Sequence, residues 1–352
     1  MSDILAPFAY QYGKPNASGK LKVKAEHFKV SENLGFSFTG SGEHLMLRIR
    51  KKGENTSFIA NELAKACGVK SKDIGWAGLK DRHAVTEQWL SVHLPKNDDI
   101  DLSHFLAQYP HVEVLAQDRH NKKLRPGDLI GNDFVLTITE VTDIDSVLSR
   151  LELIAQDGVP NYFGQQRFGR DGNNLDEARR WGRENVRTRN QNKRSLMLSS
   201  ARSWIFNRIV SQRIQNDYLT TCVIGDLVEV LATGDIVSVD ATNIADIQSD
   251  IAKGNVMITA ALAGDNALPT TESALQFEQP HVDDEGDLMA LIRGNRMRHE
   301  RRPVILKAQN LTWDVDHDKS EITLSFSLPS GAFATSIVRE LINEVAVERV
   351  FE

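Results

Sequence analysis

Short runs of alternating apolar and polar residues dominate the first third of the chain. Loose alternation over residues 21–32 predicts one strand, and 44–50 (HLMLRIR) a second. Asn55 or Thr56 is placed to cap a helix whose apolar stripe is Phe58, Ile59, Leu63, Ala66 and Cys67, with Gly68 as its stop. A loop rich in glycine and charge, 75–86 (GWAGLKDRHAVT), feeds a third strand. In that strand Gln88, Leu90, Val92 and Leu94 face one way, and Trp89, Ser91 and His93 the other. Arg125-Pro126-Gly127-Asp128 marks a turn, after which Gly131-Asn132-Asp133 leads into an alternating strand over 134–139 (FVLTIT). Asp145 is placed to cap a helix carrying Val147, Leu148, Leu151 and Ile154 that stops at Gly158. Helix, glycine and Pro160 in succession predict a domain boundary there.

Beyond Gly158 the pattern changes. A basic helical stretch over 175–214 comes first, followed by turn-punctuated apolar runs around 222–239 and 256–262 and an amphipathic helix over 285–298. The first pattern then returns. Ile322, Leu324, Phe326 and Leu328 alternate as a strand, and 335–347 reads as a helix after Pro329-Ser330-Gly331. The simplest organisation is one α+β domain interrupted by an inserted domain.

Composition narrows the class. Two domains suit 352 residues, and 41% hydrophobic with 26% charged residues is ordinary for a globular chain. There is no apolar run long enough for a membrane span, and the first fifteen residues lack a signal-peptide pattern. Cys67 and Cys222 are the two cysteines, too few for a disulfide framework or a cysteine zinc site, which fits a cytoplasmic location. The net charge is −6, but residues 167–202 carry ten Lys/Arg against four Asp/Glu. Residues 119–125 and 293–302 are also basic, and the acidity is expected elsewhere, for instance at Asp283, Asp284, Glu285 and Asp287. Because attraction to phosphate is local and screened within roughly 10 Å, a basic face on an acidic body is compatible with nucleic acid. Such stretches also occur as ordinary solvated helix faces.

Several chemistries lack their motif. The chain has no GxxxxGK[ST] loop, no GxGxxG, no HExxH, no paired cysteines at metal spacing and no GxSxG elbow. The expectation is chemistry by side chains alone, with no cofactor and no metal. Asp81 stands between Lys80 and Arg82, whose charges favour an ionised, nucleophilic carboxylate, although the same triplet also suits a solvated turn. Residues 161–172 (NYFGQQRFGRDG) combine aromatic rings, glycines and Arg167, which suits approach to a polyanion with Tyr162, Phe163 or Phe168 available for stacking. A structural hinge with buried rings fits them equally.

Taken in order, residues 78–88 (GLKDRHAVTEQ), 131–134 (GNDF), 161–169 (NYFGQQRFG), 192–195 (NKRS) and 328–341 (LPSGAFATSIVREL) closely resemble the TruD family of pseudouridine synthases. The resemblance implies an α+β pseudouridine synthase domain over 1–157 and 303–352, with a mixed, mainly antiparallel sheet and flanking helices. It implies an inserted α+β TRUD domain over 158–302. It further implies a monomeric, cofactor-free tRNA enzyme acting on uridine 13 in the D arm of tRNA(Glu). Asp81 matches the catalytic aspartate, Phe134 a phenylalanine that packs on the target uracil, and Asn132 an asparagine lining the same pocket. Lys22 and Glu32 match positions that shape the site. Lys80, Arg167 and Phe168 are expected to contact substrate. A tRNA-binding chaperone and a methyl-transfer enzyme are the rival readings.

Overall fold

The computed structural model describes residues 3–96 and 100–347. Residues 1–2, 97–99 and 348–352, part of the expected domain over 1–157 and 303–352, lie outside them. In chain order the elements begin with β1 (Ser18–Leu21), β2 (Phe28–Asn33), β3 (His44–Lys52), α1 (Thr56–Ala66), β4 (Ile74–Trp76) and β5 (Val85–His93). Next come α2 (Ser103–Gln108), β6 (Val112–His120), β7 (Gly131–Thr139) and α3 (Ile144–Asp157). The middle of the chain forms β8 (Val159–Pro160), α4 (Asn173–Arg183), α5 (Gln191–Gln215), β9 (Leu227–Val230), β10 (Asp235–Ser238), α6 (Ile244–Ala252) and β11 (Val256–Leu262). It continues with α7 (Glu272–Asp283), α8 (Gly286–Gly294), β12 (Glu300–Pro303) and β13 (Ile305–Leu306). The chain closes with β14 (Gln309–Asp316), β15 (Glu321–Pro329), α9 (Ala334–Leu341) and β16 (Asn343–Glu344). Two compact units emerge. A sheet unit comprises Asn16–Leu151, Ala308–Ala334 and Ile342–Glu352, and a helical unit comprises Met1–Pro15, Glu152–Lys307 and Thr335–Leu341.

The sheet unit is built on a ten-stranded sheet with the central order β14-β15-β7-β2-β5-β3-β6. β2 pairs with β5, and β1 with β16, in parallel; the other pairings are antiparallel, as the resemblance implies. The fold class is α+β. Strict alternation decides β15, where Ile322, Leu324, Phe326 and Leu328 are buried and their neighbours are not. On β3 and β5, Leu47, Ile49, Leu90 and Val92 form a core with Ile59, Ala60, Leu63 and Ala64 of α1 and Phe105 of α2. Each such aliphatic side chain contributes about 1.5–3 kcal/mol by leaving water. α1 thereby fixes the loop that follows β4.

Several expected elements differ in extent. The strand expected over 21–32 breaks at Lys22, which takes a left-handed φ of 59°, and a short 3-10 turn at Ala25–His27 precedes β2. α1 buries Ile59, Ala60, Leu63 and Ala64, whereas Phe58 and Ala66 are exposed, so the stripe is rotated toward the sheet. Asp143, not Asp145, caps α3, its Oδ1 accepting from the Ser146 amide at 2.9 Å. The helix expected over 335–347 stops at Leu341, because the next residues pair with β1.

In the helical unit the basic stretch over 175–214 is two helices, separated where Asn185 turns left-handed and resumed where the Asn190 side chain caps α5. α5 buries Ala201, Ile205, Ile209 and, one step round, Val210. The helix expected over 285–298 ends at Gly294. A four-stranded sheet, β10-β9-β11-β12, completes this unit. The acidic run is not set apart from the basic helices, as the sequence led us to expect. Glu285 receives Arg179 at 3.0 Å and Arg208 at 3.1 Å, Asp284 receives Arg208 at 2.8 Å, and Asp287 receives Arg183 at 2.9 Å. No described helix is long and apolar enough to cross a membrane.

A candidate active site in the sheet unit

Cross-strand register assembles one face of the central sheet from five strands. Directly opposed residues share a face, so Lys51, Thr86, Val30, Phe134 and Phe326 form one row across β3, β5, β2, β7 and β15. A neighbouring row brings Glu32, Asn132 and Leu328 together. Phe134 is buried, stacks on Phe326 with centroids 5.4 Å apart and meets Phe28 edge-on at 6.2 Å. Asn132 carries a buried Oδ1 for which no described residue supplies a hydrogen bond. An unsatisfied buried acceptor costs about 1–3 kcal/mol, so a donor that reaches it is favoured by a similar amount.

Asp81 lies in the loop before β5, which is held by a set of polar links, several of them buried. Thr56 at the start of α1 accepts from the Lys80 amide at 3.1 Å and donates to Gln88 Oε1 at 2.7 Å; Gln88 in turn donates to the Gly78 carbonyl at 3.0 Å. The Lys80 ammonium bonds Glu32 at 2.7 Å with side chains 4% and 0% exposed, and Glu32 also accepts from the Trp89 amide at 3.1 Å. Lys80 and Glu32 thus form a buried ion pair that ties the Asp81 loop to β2. Lys51, fully buried, donates to the carbonyls of Glu54 at 2.6 Å and Asp81 at 3.3 Å. Burial drives its ammonium down to about 8, partly opposed by the Asp81 charge.

The carboxylate itself is partly open, 24% exposed, and bonds the Lys22 ammonium, which is 8% exposed. Oδ1 accepts from the His83 amide at 2.9 Å. Burial pushes the Asp81 carboxyl up, but the Lys22 charge and hydrogen bond and the His83 amide outweigh it, leaving the group below its ordinary value. It is ionised throughout the neutral range. The same Lys22 ammonium sits 3.9 Å above the Phe28 ring, so Asp81, Lys22, Phe28 and Phe134 form a contiguous series. The left-handed backbone at Lys22 costs about 1–2 kcal/mol, a strain of the kind that collects at working sites.

Of the expected residues, Lys22 contacts Asp81, Lys80 beside it pairs with Glu32, and Asn132 and Phe134 lie opposite Glu32 and Val30 on the same face of the sheet. Sequence reasoning missed Lys51 and Phe28. A signal for Lys51 existed, because it continues the inward parity of Leu47 and Ile49 along β3. Arg167 and Phe168 belong to the helical unit. Arg167 donates to Ser199 Oγ at 2.7 Å, its carbonyl accepts from Ser200, and burial lowers its guanidinium. Phe168 is fully buried, edge-on to Trp204 at 5.6 Å. Tyr162 and Phe163 are buried as well, and Asn207 bonds both backbone groups of Phe163. These rings are buried within the unit, which is the hinge-with-buried-rings alternative that the sequence left open.

The chain matches the family model for tRNA pseudouridine synthase D (TruD) over residues 6–178 and 173–341. It is 68% identical over 351 residues to the tRNA pseudouridine synthase D of Vibrio parahaemolyticus serotype O3:K6, covering 100% of both chains. It is 62% identical over 352 residues to that of Aliivibrio salmonicida, again covering 100% of both. A crystal structure of a Methanosarcina mazei chain described as a tRNA pseudouridine synthase D has the same fold, with a TM-score of 0.72, 22% identity and 95% of each chain covered.

Proposed function

This chain belongs to the tRNA pseudouridine synthase D (TruD) family, and we propose that it acts on uridine 13 in the D arm of tRNA(Glu) with Asp81 as its nucleophile. It is a tRNA pseudouridine synthase, an isomerase. What supports the proposal is an ionised, partly open carboxylate joined through Lys22 and Phe28 to the Phe134 and Asn132 face.

The reaction breaks the N1–C1′ bond, turns the uracil and forms a C5–C1′ bond, after which C5 loses its proton. A base held in a helix is out of reach, so the nucleotide is flipped at a cost of a few kcal/mol. Phe134 offsets part of that cost by packing on the uracil, with stacking worth about 1–3 kcal/mol per base. Asn132 pairs with the polar edge of the base, because an amide meets both donors and acceptors. Asp81 in its ionised form serves attack at C1′, attack at C6 or removal of the 2′ hydrogen, and Lys22 holds it charged for each. Phenylalanine at 134 offers no hydroxyl, so the C5 proton leaves to another group or to water.

The test uses unmodified tRNA transcripts and chemical mapping of pseudouridine. The wild type is expected to convert position 13 of tRNA(Glu), and Asp81→Asn to bind the same RNA without converting it. Product formed by Asp81→Asn at the wild-type rate would sink the catalytic assignment. Conversion at other positions only would sink the substrate assignment. A deuterium isotope effect at C2′ separates hydrogen removal from the two attack routes.

A further inference from the structure

The basic stretch of the helical unit divides into neutralised and uncompensated arginines. Arg179, Arg183, Arg208, Arg213 and Arg301 each face a carboxylate. Residues 187–194 and 293–298 are different: together they hold seven Lys/Arg and no Asp/Glu. Lys193 reaches Glu177 at 3.6 Å, but that carboxylate already serves both Arg180 and the Trp181 indole. Among the described residues, no carboxylate pairs with Arg187, Arg189, Arg194, Arg293 or Arg296, and all five are exposed.

The fold gathers these two segments. Arg187 Nη1 donates to the Gly294 carbonyl at the end of α8 at 2.8 Å, tying the loop between α4 and α5 to the turn after α8. A shallow pocket there is lined by Trp181, Val186, Arg187, Thr188, Arg194 and Asn295. Trp181 is buried and its indole N–H is held by Glu177, so it walls the pocket and offers no free ring for a base. Like charges massed in one place oppose one another unless solvent or an anion screens them. Guanidinium groups, unlike ammonium groups, meet phosphate oxygens two at a time.

We propose that this patch, centred on Arg187 and Arg194 with Arg189, Arg293 and Arg296 around it, grips the phosphodiester backbone of the tRNA. It would do so without reading bases, as an anchor on RNA beyond the reacting uridine. The proposal rests on tRNA being the substrate, and it sharpens which arginines carry the affinity.

The experiment measures binding of a fluorescent, unmodified tRNA transcript to the full chain by anisotropy across a salt series, alongside steady-state turnover. Arg189→Gln/Arg194→Gln is expected to weaken binding about tenfold or more, and to reduce the slope of log affinity against log salt by roughly 1.5 for two lost contacts. KM should rise in step while kcat at saturating tRNA stays unchanged. Arg293→Gln/Arg296→Gln reports the same patch from the other segment and is expected to behave alike. Arg183→Gln, which loses a charge already paired with Asp287, is the comparator and should leave affinity and slope in place. Unchanged affinity and slope in both double variants would overturn the anchor. So would a loss per charge in Arg183→Gln equal to theirs, since net charge alone would then account for it. Because binding is read without turnover, a wild type that binds but makes no pseudouridine sinks the catalytic reading while the anchor is still decided.

Discussion

The Lys22 ammonium donates to Oδ2 of Asp81 from a side chain only 8% exposed, across 59 residues of sequence. This contact keeps a half-buried carboxylate charged, and the sign of its effect on stability is fixed. The folded Asp81 carboxyl lies below its ordinary 3.8, so its contribution is present above that value and is lost as pH falls through the lower, folded one.

Asp81→Asn should therefore fold, bind tRNA and lose turnover entirely. It leaves Lys22 without its counter-charge, at a cost of about 1–3 kcal/mol near neutral pH. Urea titrations should show this gap closing in acid, where the wild-type carboxyl is protonated too. A gap constant down to the acid transition would contradict the assigned pairing.

Lys51 gives a second pH signature, of the same direction but in the alkaline range. Its folded value of about 8 lies below the ordinary 10.5, so between these values the unfolded chain holds a proton the folded chain has released, and stability rises with pH. Above about 9 the buried Cys67 thiol, raised from 9.0 to about 11, opposes the rise and offsets it. The window is pH 8 to 9, with a gain of about 1 kcal/mol. Lys51→Met should abolish that gain in denaturant midpoints measured at the two ends.

For the Lys80–Glu32 pair, one partner without the other is the costly state. Glu32→Gln should destabilise by about 3–5 kcal/mol, because it strands a buried ammonium. Glu32→Gln combined with Lys80→Met should recover most of it. Thermal midpoints of the wild type and these two variants decide this, and a double variant no better than the single would show that the pair is not the source of the cost.

Asn132→Leu removes a buried acceptor that no described residue satisfies. Calorimetry should find the variant as stable as the wild type or more so, by about 1 kcal/mol. Its kcat/KM for tRNA should nonetheless collapse. Full activity in a stabilised Asn132→Leu would leave the residue without a role in recognising the base.

Phe134→Leu keeps an apolar group between Phe28 and Phe326 but removes the ring. Loss of stacking predicts a fall in kcat/KM of roughly 10- to 100-fold, with tRNA affinity nearly unchanged. Comparable loss in affinity and in turnover would place Phe134 in general RNA binding.

By itself the sequence determined the elements whose signal is local. Alternation on β5 and β15 and the turn at Arg125–Asp128 are properties of a few successive residues, because side-chain direction repeats every two residues in a strand. Motif order likewise pointed to Asp81 and to the family. What only tertiary structure decided are relations between distant residues. Strand order placed Lys51, Phe134 and Phe326 in one row, and the same carboxylate run that reads as a separate acidic patch was carried onto Arg179 and Arg208, 106 and 77 residues from Glu285. Charges pair through space, where Coulomb attraction depends on distance alone, so no spacing along the chain announces which arginines will be neutralised and which left for phosphate.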